Sequence, residues 1–191
     1  MAIREIALIG EPVLREQTRE ISSEEIASSE IQETITDMIE TMHHANGAGI
    51  AANQIFSPLR ICVIEVSDNP RYPYKPNIPL TILINPQITP VGTEMFENYE
   101  GCLSVPNLRG KVERYCQIEI KALDRNGQPI EETICGITAG TFQHEIDHLD
   151  GKLFVDRVKN TASLCTWDAF KKYHEKQVEK EVKTIVEKWG A

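Results

Sequence analysis

Residues 141–154 read TFQHEIDHLDGKLF and contain the pentapeptide His144-Glu145-x-x-His148, the spacing that hangs two imidazoles on one metal. On a helix, positions i and i+4 lie on one face, so His144 and His148 converge and Glu145 stands beside the first of them. A divalent ion held there lowers the pKa of its water toward neutrality, and an adjacent carboxylate can take the proton during attack. Two partly buried histidines on an ordinary helix would carry the same letters. Two imidazoles bind a catalytic metal weakly, so a third protein ligand is expected. The spacing that supplies a third histidine in one large protease class ends here on Phe154, which has no donor atom. A downstream glutamate would be Glu175 or Glu179, both in a mixed-charge helical pattern of solvated character. The remaining soft donor is a thiolate. Cys62, Cys116 and Cys135 sit in or beside strand patterns, where cysteine is usually a small buried hydrophobe, and Cys165 precedes a terminal helix. Cys102 stands apart in the glycine-flanked NYEGCLSVP, but position alone leaves the choice among these donors open.

The rest of the composition narrows the class. A chain of 191 residues is expected to form one domain with a full core. With 41% apolar and 26% charged residues it has the balance of an ordinary globular protein. A formal charge of −9 argues against a broad grip on DNA or an anionic membrane, which needs clustered Lys and Arg. No apolar run reaches the length needed to span a bilayer. The opening MAIREIALIGEPVLRE is interrupted by Glu5, Glu11 and Pro12 and makes a poor signal peptide. Five cysteines, an odd number without a C-x-x-C pair, are no disulfide framework and point to a reducing compartment.

Along the chain, SSEIQETITDMIETMHHANG predicts a helix. Ser29 with Gln32 forms its capping box, Ile31, Ile35, Met38, Ile39 and Met42 its apolar face, and Asn46-Gly47 its stop. His43 and His44 fall in its last turn, where cations favour the helix dipole, and are read as structural. RICVIEV (60–66) and TILINP (81–86) predict strands joined by a proline-broken surface loop over 67–79. KVERYCQIEIKAL and QPIEETI flank DRNG and predict a hairpin. The histidine helix is expected over roughly 138–149. From 161 onward one long helix is expected, its stripe of Trp167, Phe170, His174, Val178, Val182, Ile185 and Trp189 docked on the body. Strands followed by helices without βαβ alternation predict an α+β fold. GAGIAA (47–52) matches a dinucleotide fingerprint, but the segment before it is helical and Pro58 leaves no room for a crossover helix. That reading is rejected.

Three blocks, GAGIAANQ (47–54), EGCLS (100–104) and HEIDH (144–148), together resemble the signature motifs of peptide deformylase, in the family's order. IGEPVLR near the start and GKLFVDR after the metal helix are also similar, so the resemblance covers roughly residues 3–158. It implies an α+β fold with mixed or antiparallel sheets packed around a central helix carrying HExxH, plus a C-terminal helix. A catalytic domain over 1–160 would carry a helical extension of the same domain over 161–191. The implied activity is hydrolysis of the N-formyl group of formylmethionyl nascent peptides, releasing formate. By match of position, Cys102, His144 and His148 are the implied metal ligands and Glu145 the general acid/base acting on metal-bound water. Gln54 and the backbone N–H of Leu103 are the implied oxyanion donors. Ala48, Gly49 and Ile50 match the edge along which substrate lies, Gly101 lets backbone approach closely, and Arg109 matches a basic residue near the peptide groove. Taken singly, Gln54 is an ordinary turn amide and Arg109 a solvated charge; only their blocks raise them.

The resemblance further implies one divalent ion, ferrous iron (Fe2+) in the cell, with Zn2+, Ni2+ or Co2+ able to substitute. It makes the ribosome a candidate partner, a monomer or dimer the expected state, and the bacterial cytoplasm, or an organelle after loss of a transit peptide, the expected place. Ala48 and Asn53 depart from the family's usual residues, and the smaller Ala48 is expected to widen the methionine pocket. Two rivals have distinct requirements. A zinc-dependent peptidase needs a third His or Glu and an extended cleft. A non-catalytic metal module needs four protein ligands.

Overall fold

The computed structural model describes residues 2–67, 69 and 74–190. Two short helical turns come first. Ser22 and Glu25 cap each other reciprocally at the start of α1 (Ser23–Ile26), and Ser28 caps α2 (Ser29–His44) through the Ile31 N–H. The reciprocal box therefore lies one helix earlier than Ser29 and Gln32 suggested. Gln32 instead donates to the carbonyls of Ile26 and Arg125, both at 2.9 Å, and ties the helix to a distant turn. Ile31, Ile35, Met38 and Met42 form the buried face as expected, and Asn46 ends the helix at φ 51°.

Among the described residues seven strands follow: β1 (Gly49–Ala51), β2 (Ile61–Val66), β3 (Ile78–Pro90), β4 (Met95–Cys102), β5 (Val105–Tyr115), β6 (Gln117–Leu123) and β7 (Pro129–Cys135). One antiparallel sheet has the order β1-β2-β3-β6-β7, and β4 pairs with β5 in a second. The strand expected at 81–86 is the middle of the longer β3. The run 111–123, expected as one arm of a hairpin, divides at Cys116: its first part ends β5 and its second forms β6. There the Cys116 N–H donates to Glu94 O and its carbonyl accepts from Gly136, so the corner's polar groups are satisfied outside either sheet. The hairpin of β6 and β7 closes around DRNG as expected, with the Asp124 carboxylate accepting from the Asn126 and Gln128 N–H groups, both at 2.8 Å.

The histidine helix α3 (Gly136–Leu149) is buried along its whole length. Ala139, Phe142, Ile146 and Leu149 pack against Ile64, Leu83, Ile118 and Ile120 on one face of the larger sheet. The other face carries Ile61, Val63 and Ile84 against Ile35, Met38 and Met42 of α2. β2 is thus covered on both sides, which is why ICVIEV is an almost unbroken apolar run. Each such Ile or Leu contributes on the order of 2 kcal/mol by leaving water. Gly151, at φ 70°, turns the chain out of α3 against the Arg15 carbonyl, where a Cβ would lie 2.6 Å away.

α4 (Phe154–Arg157) comes next, and Phe154 is buried with Leu14, Val105 and Val112. The single terminal helix expected from 161 is a short 3-10 turn, Thr161–Ser163, then α5 (Trp167–Tyr173) and α6 (Glu175–Trp189). The break at His174 lets its ring stack on Tyr99, centroids 5.2 Å apart. The stripe does dock: Phe170, Val178 and Val182 are buried with Tyr99 and Ile137. Arg109 of β5 lies beneath them. Its backbone pairs with Cys165, and its guanidinium sits 3.8 Å from the Phe170 ring centroid and 4.5 Å from that of Trp167.

Residues 67–79 are not wholly a surface loop. Asn69 is buried and donates to the Asn46 and Gly47 carbonyls, while Tyr74 and Lys75 turn inward; residues 68 and 70–73 lie outside the described residues. If docking of α5 and α6 stabilises the body, Phe170→Ala should cost about 3–5 kcal/mol. Urea unfolding would measure it, and an unchanged midpoint would mean that the terminal helices add nothing.

Candidate metal centre

α3 presents His144 and His148 side by side, ring centroids 5.1 Å apart. The third donor comes from the end of β4. The β4–β5 ladder shifts register between Gly101 and Cys102, and Cys102 Sγ lies 3.2 Å from His148 Nε2. One ligand atom from each of Cys102, His144 and His148 falls within 4.8 Å of the others, and all three residues are buried. Glu175 and Glu179, on α6, are outside this cluster, and among the described residues no fourth His, Cys, Asp or Glu joins it.

The electrostatics suit a thiolate. Burial alone would raise the Cys102 pKa, but His148 and His144 beside the sulfur outweigh it and hold the thiol well below its ordinary value. The Gln54 side-chain amide and the Ser104 N–H also point at the sulfur, at 3.5 and 3.4 Å. His144 Nδ1 lies 2.7 Å from Glu100 Oε2, which leaves Nε2 for the cluster. Glu100 is gripped by Arg114 at 2.7 and 2.9 Å. Arg114 also donates to Asp147 at 2.5 Å, and Asp147 is paired in turn with Arg157. Against the opposing effect of burial, Arg114 and His144 keep the Glu100 carboxyl well below the usual carboxylate range. On the other histidine, the backbone carbonyl of His148 accepts from Asn53 Nδ2.

Glu145 has the opposite environment. Burial raises its pKa, partly offset by the two imidazoles. Gly49 packs directly on its carboxylate, where a Cβ would stand 2.4 Å from Oε1. Its Oε2 is buried and has no hydrogen-bond partner among the described residues, the kind of acceptor that a bound molecule satisfies. Two imidazoles and a thiolate converging beside such a carboxylate fit a divalent ion with one position left open.

The cavity in front of the cluster is lined by Ala48, Gly49, Gln54, Gly101 and Leu103, together with Cys102, His144 and Glu145. Ile50 faces away, into the α2 side of the core, as alternation along β1 requires. Gln54 Nε2 donates to Ser104 Oγ at 2.9 Å and its Oε1 accepts from the Ala51 N–H at 2.8 Å. Arg109 does not line the cavity. It is buried behind Gly101, donating to the Tyr99 carbonyl and the Tyr74 hydroxyl. Sequence reasoning missed Arg114, Asp147, Ser104 and Lys75, and gave Glu100 no role although it opens EGCLS. A buried arginine in a strand betrays itself only through its partners. Asp147, inside HExxH, was the available clue.

The polypeptide deformylase family profile matches residues 3–163. Peptide deformylase of Leptospira biflexa serovar Patoc is 45% identical over 162 residues, 84% of this chain and 90% of that protein. The Met-Ala-Ser-bound class I type b peptide deformylase of Acinetobacter baumannii superposes with a TM-score of 0.79 at 37% identity, over 82% of this chain and 99% of that one. The actinonin complex of a peptide deformylase from Synechococcus elongatus covers 98% of this chain and 92% of its own, with a TM-score of 0.73 and 31% identity. A family profile over most of the chain, a relative 45% identical and solved structures of the same fold together lead to one conclusion: the chain belongs to the peptide deformylase family.

Proposed function

We propose that the chain removes the N-formyl group from formylmethionyl peptides, releasing formate and a free amino terminus. The convergence of Cys102 with His144 and His148, beside a buried Glu145, carries this reading. An ion held by these three residues would supply a Lewis acid and a water acidic enough to react at neutral pH. The soft His₂Cys set suits ferrous iron in the cell and also accepts zinc, nickel or cobalt. Such iron beside a thiolate is open to oxidative loss.

The chain's own groups have separable tasks. Glu145 accepts the proton of the attacking water and returns it to the departing amine; its raised pKa brings both transfers closer to balance near neutral pH. The Gln54 amide and the Leu103 N–H offer donors to the formyl oxygen as charge grows on it, a contribution worth about 3 kcal/mol per donor in comparable sites. β1 is an edge strand, so Ala48, Gly49 and Ile50 can offer backbone to an extended peptide. The absence of a Cβ at Gly49 lets that backbone lie against Glu145. A relative binding Met-Ala-Ser, the product of such a reaction on a formylated tripeptide, supports a short peptide as substrate. The peptidase rival requires a third His or Glu, which the cluster does not supply among the described residues.

We read residues 161–191 as part of the same domain, a reading supported by the burial of Phe170, Val178 and Val182. Nascent chains as substrate imply work near the ribosome, and five free cysteines favour the cytoplasm. No helix among the described residues is long and apolar enough to cross a membrane.

Formate release from formyl-Met-Ala-Ser, set beside cleavage of unformylated Met-Ala-Ser, tests the activity directly; cleavage of the second peptide instead would favour the peptidase. Glu145→Gln should keep its metal and lose at least about a hundredfold in turnover. Near-wild-type turnover in that variant would remove Glu145 from the mechanism. Cys102→Ala should lose metal affinity together with activity, while Cys135→Ser and Cys165→Ser keep stoichiometric metal. In the wild type, alkylation of Cys102 should be slow with metal bound and fast after chelation. Wild-type metal affinity in Cys102→Ala would defeat the three-ligand assignment.

A further inference from the structure

The two histidines of the cluster are not held alike. His144 Nδ1 meets Glu100 at 2.7 Å. His148 Nδ1 is buried and has no hydrogen-bond partner among the described residues. Its Nε2 is the ring atom turned to the cluster, 3.2 Å from Cys102 Sγ. A neutral imidazole that gives Nε2 to a metal carries its proton on Nδ1, so a buried N–H stands there in need of an acceptor. A metal-bound histidine almost always finds one for that second nitrogen.

The residue bonded to His148 holds an acceptor in need of a donor. Asn53, only 1% exposed, donates from Nδ2 to the His148 carbonyl at 2.5 Å. That bond fixes which way the amide faces, because the reversed amide would set its oxygen against the carbonyl. Asn53 Oδ1 is also buried without a partner among the described residues. The oxygen and nitrogen of an amide are about 2.3 Å apart, so Oδ1 stands within about 5 Å of the His148 carbonyl oxygen. A water with hydrogen bonds of about 2.8 Å on either side joins polar atoms up to about 5.5 Å apart. Asn53 belongs to the 3-10 turn Ala52–Ile55, and its neighbour Gln54 points its amide at Cys102 Sγ from 3.5 Å. One turn of chain thus touches two of the three ligand residues.

We propose that Asn53 is the positioning residue of His148: Nδ2 holds the backbone carbonyl, and Oδ1 takes the Nδ1 proton through one buried water molecule. The inference rests on the three-ligand reading above. The water accepts from His148 Nδ1 and donates to Asn53 Oδ1, so two buried atoms that would each be costly to leave unpaired satisfy one another. The direction of the Nδ1–H bond then fixes the rotation of the imidazole, and with it the direction of Nε2. Removing such a partner of a metal-bound histidine lowers metal affinity by about 10–100-fold.

Zinc affinity, measured by competition with a fluorescent chelator, tests this without reference to turnover. Asn53→Leu keeps a similar volume and removes both polar atoms, and should bind zinc about 10–100-fold more weakly. Asn53→Asp keeps the acceptor while losing the donor to the carbonyl, and should recover most of that affinity. Wild-type zinc affinity in Asn53→Leu overturns the proposal. An Asp variant as weak as the Leu variant overturns it too, because the acceptor would then contribute nothing. Where a variant does not fold, the zinc-loaded wild type decides: 15N-histidine NMR should show a slowly exchanging His148 Nδ1 proton with a cross-peak to a bound water. A His148 Nδ1 without that proton or that water overturns the proposal. A wild-type chain with no affinity for zinc would sink the three-ligand reading itself, whereas tight zinc binding indifferent to Asn53 would sink only this inference.

Discussion

Arg114 is the junction on which the site's geometry depends. Its guanidinium leaves β5, grips Glu100 on β4 and Asp147 on α3, and is almost wholly buried. Ion pairs at such depth are weak sources of net stability, because desolvation offsets much of their attraction. Breaking one is costly, however, since the remaining charge stays buried without its partner. The network therefore penalises any arrangement in which β4 and α3 slide past each other. Cys102 terminates β4 and the two histidines project from α3, so the arrangement that satisfies Arg114 is also the one that brings Cys102, His144 and His148 together. Glu100 completes the link by orienting His144.

The low dielectric that makes this network exacting also divides the labour of the titratable groups. Cys102 and Glu100 are buried beside imidazoles and a guanidinium, which lower their pKa values against the opposing effect of desolvation. Glu145, next to His144 in the chain, lacks a comparable cationic clamp, and burial moves its pKa upward. Cys102 and Glu145 thus differ through their neighbours rather than through their depth. Gly49 contributes by absence, bringing β1 against Glu145 as no larger residue could.

Arg109 illustrates how tertiary context reassigns a residue. Its place after EGCLS suggested a charge at the edge of a peptide groove. In the fold it is fully buried, its guanidinium against the rings of Trp167 and Phe170 on α5 and bonded to the Tyr99 carbonyl. Stacking of a guanidinium on aromatic faces is favourable when both are desolvated, and it fixes the terminal helices to β5, which pairs with the strand that ends in Cys102. The break between α5 and α6 belongs to the same contact: a continuous helix would not place His174 on Tyr99 and also bury Phe170 and Val178 beneath it.

Sequence by itself determined what depends on short range and regular period. His144 and His148 share a helix face because of their spacing. Ile31, Ile35, Met38 and Met42 formed the buried stripe expected of them, and the DRNG turn closed the hairpin expected around it. Three motif blocks in order carried the family. Tertiary structure decided what depends on residues far apart in the chain. Cys102 and His148 are 46 positions apart; the glycine-flanked NYEGCLSVP set that thiol apart from the other four, but only the closed fold puts its sulfur beside the imidazole. The division of 111–123 between two sheets, the inward turn of Lys75 and the pairing of Arg114 were invisible for the same reason. Periodicity encodes which face of an element is apolar, whereas the partner of a buried charge or a donor atom is set only when separate elements close on one another and exclude water.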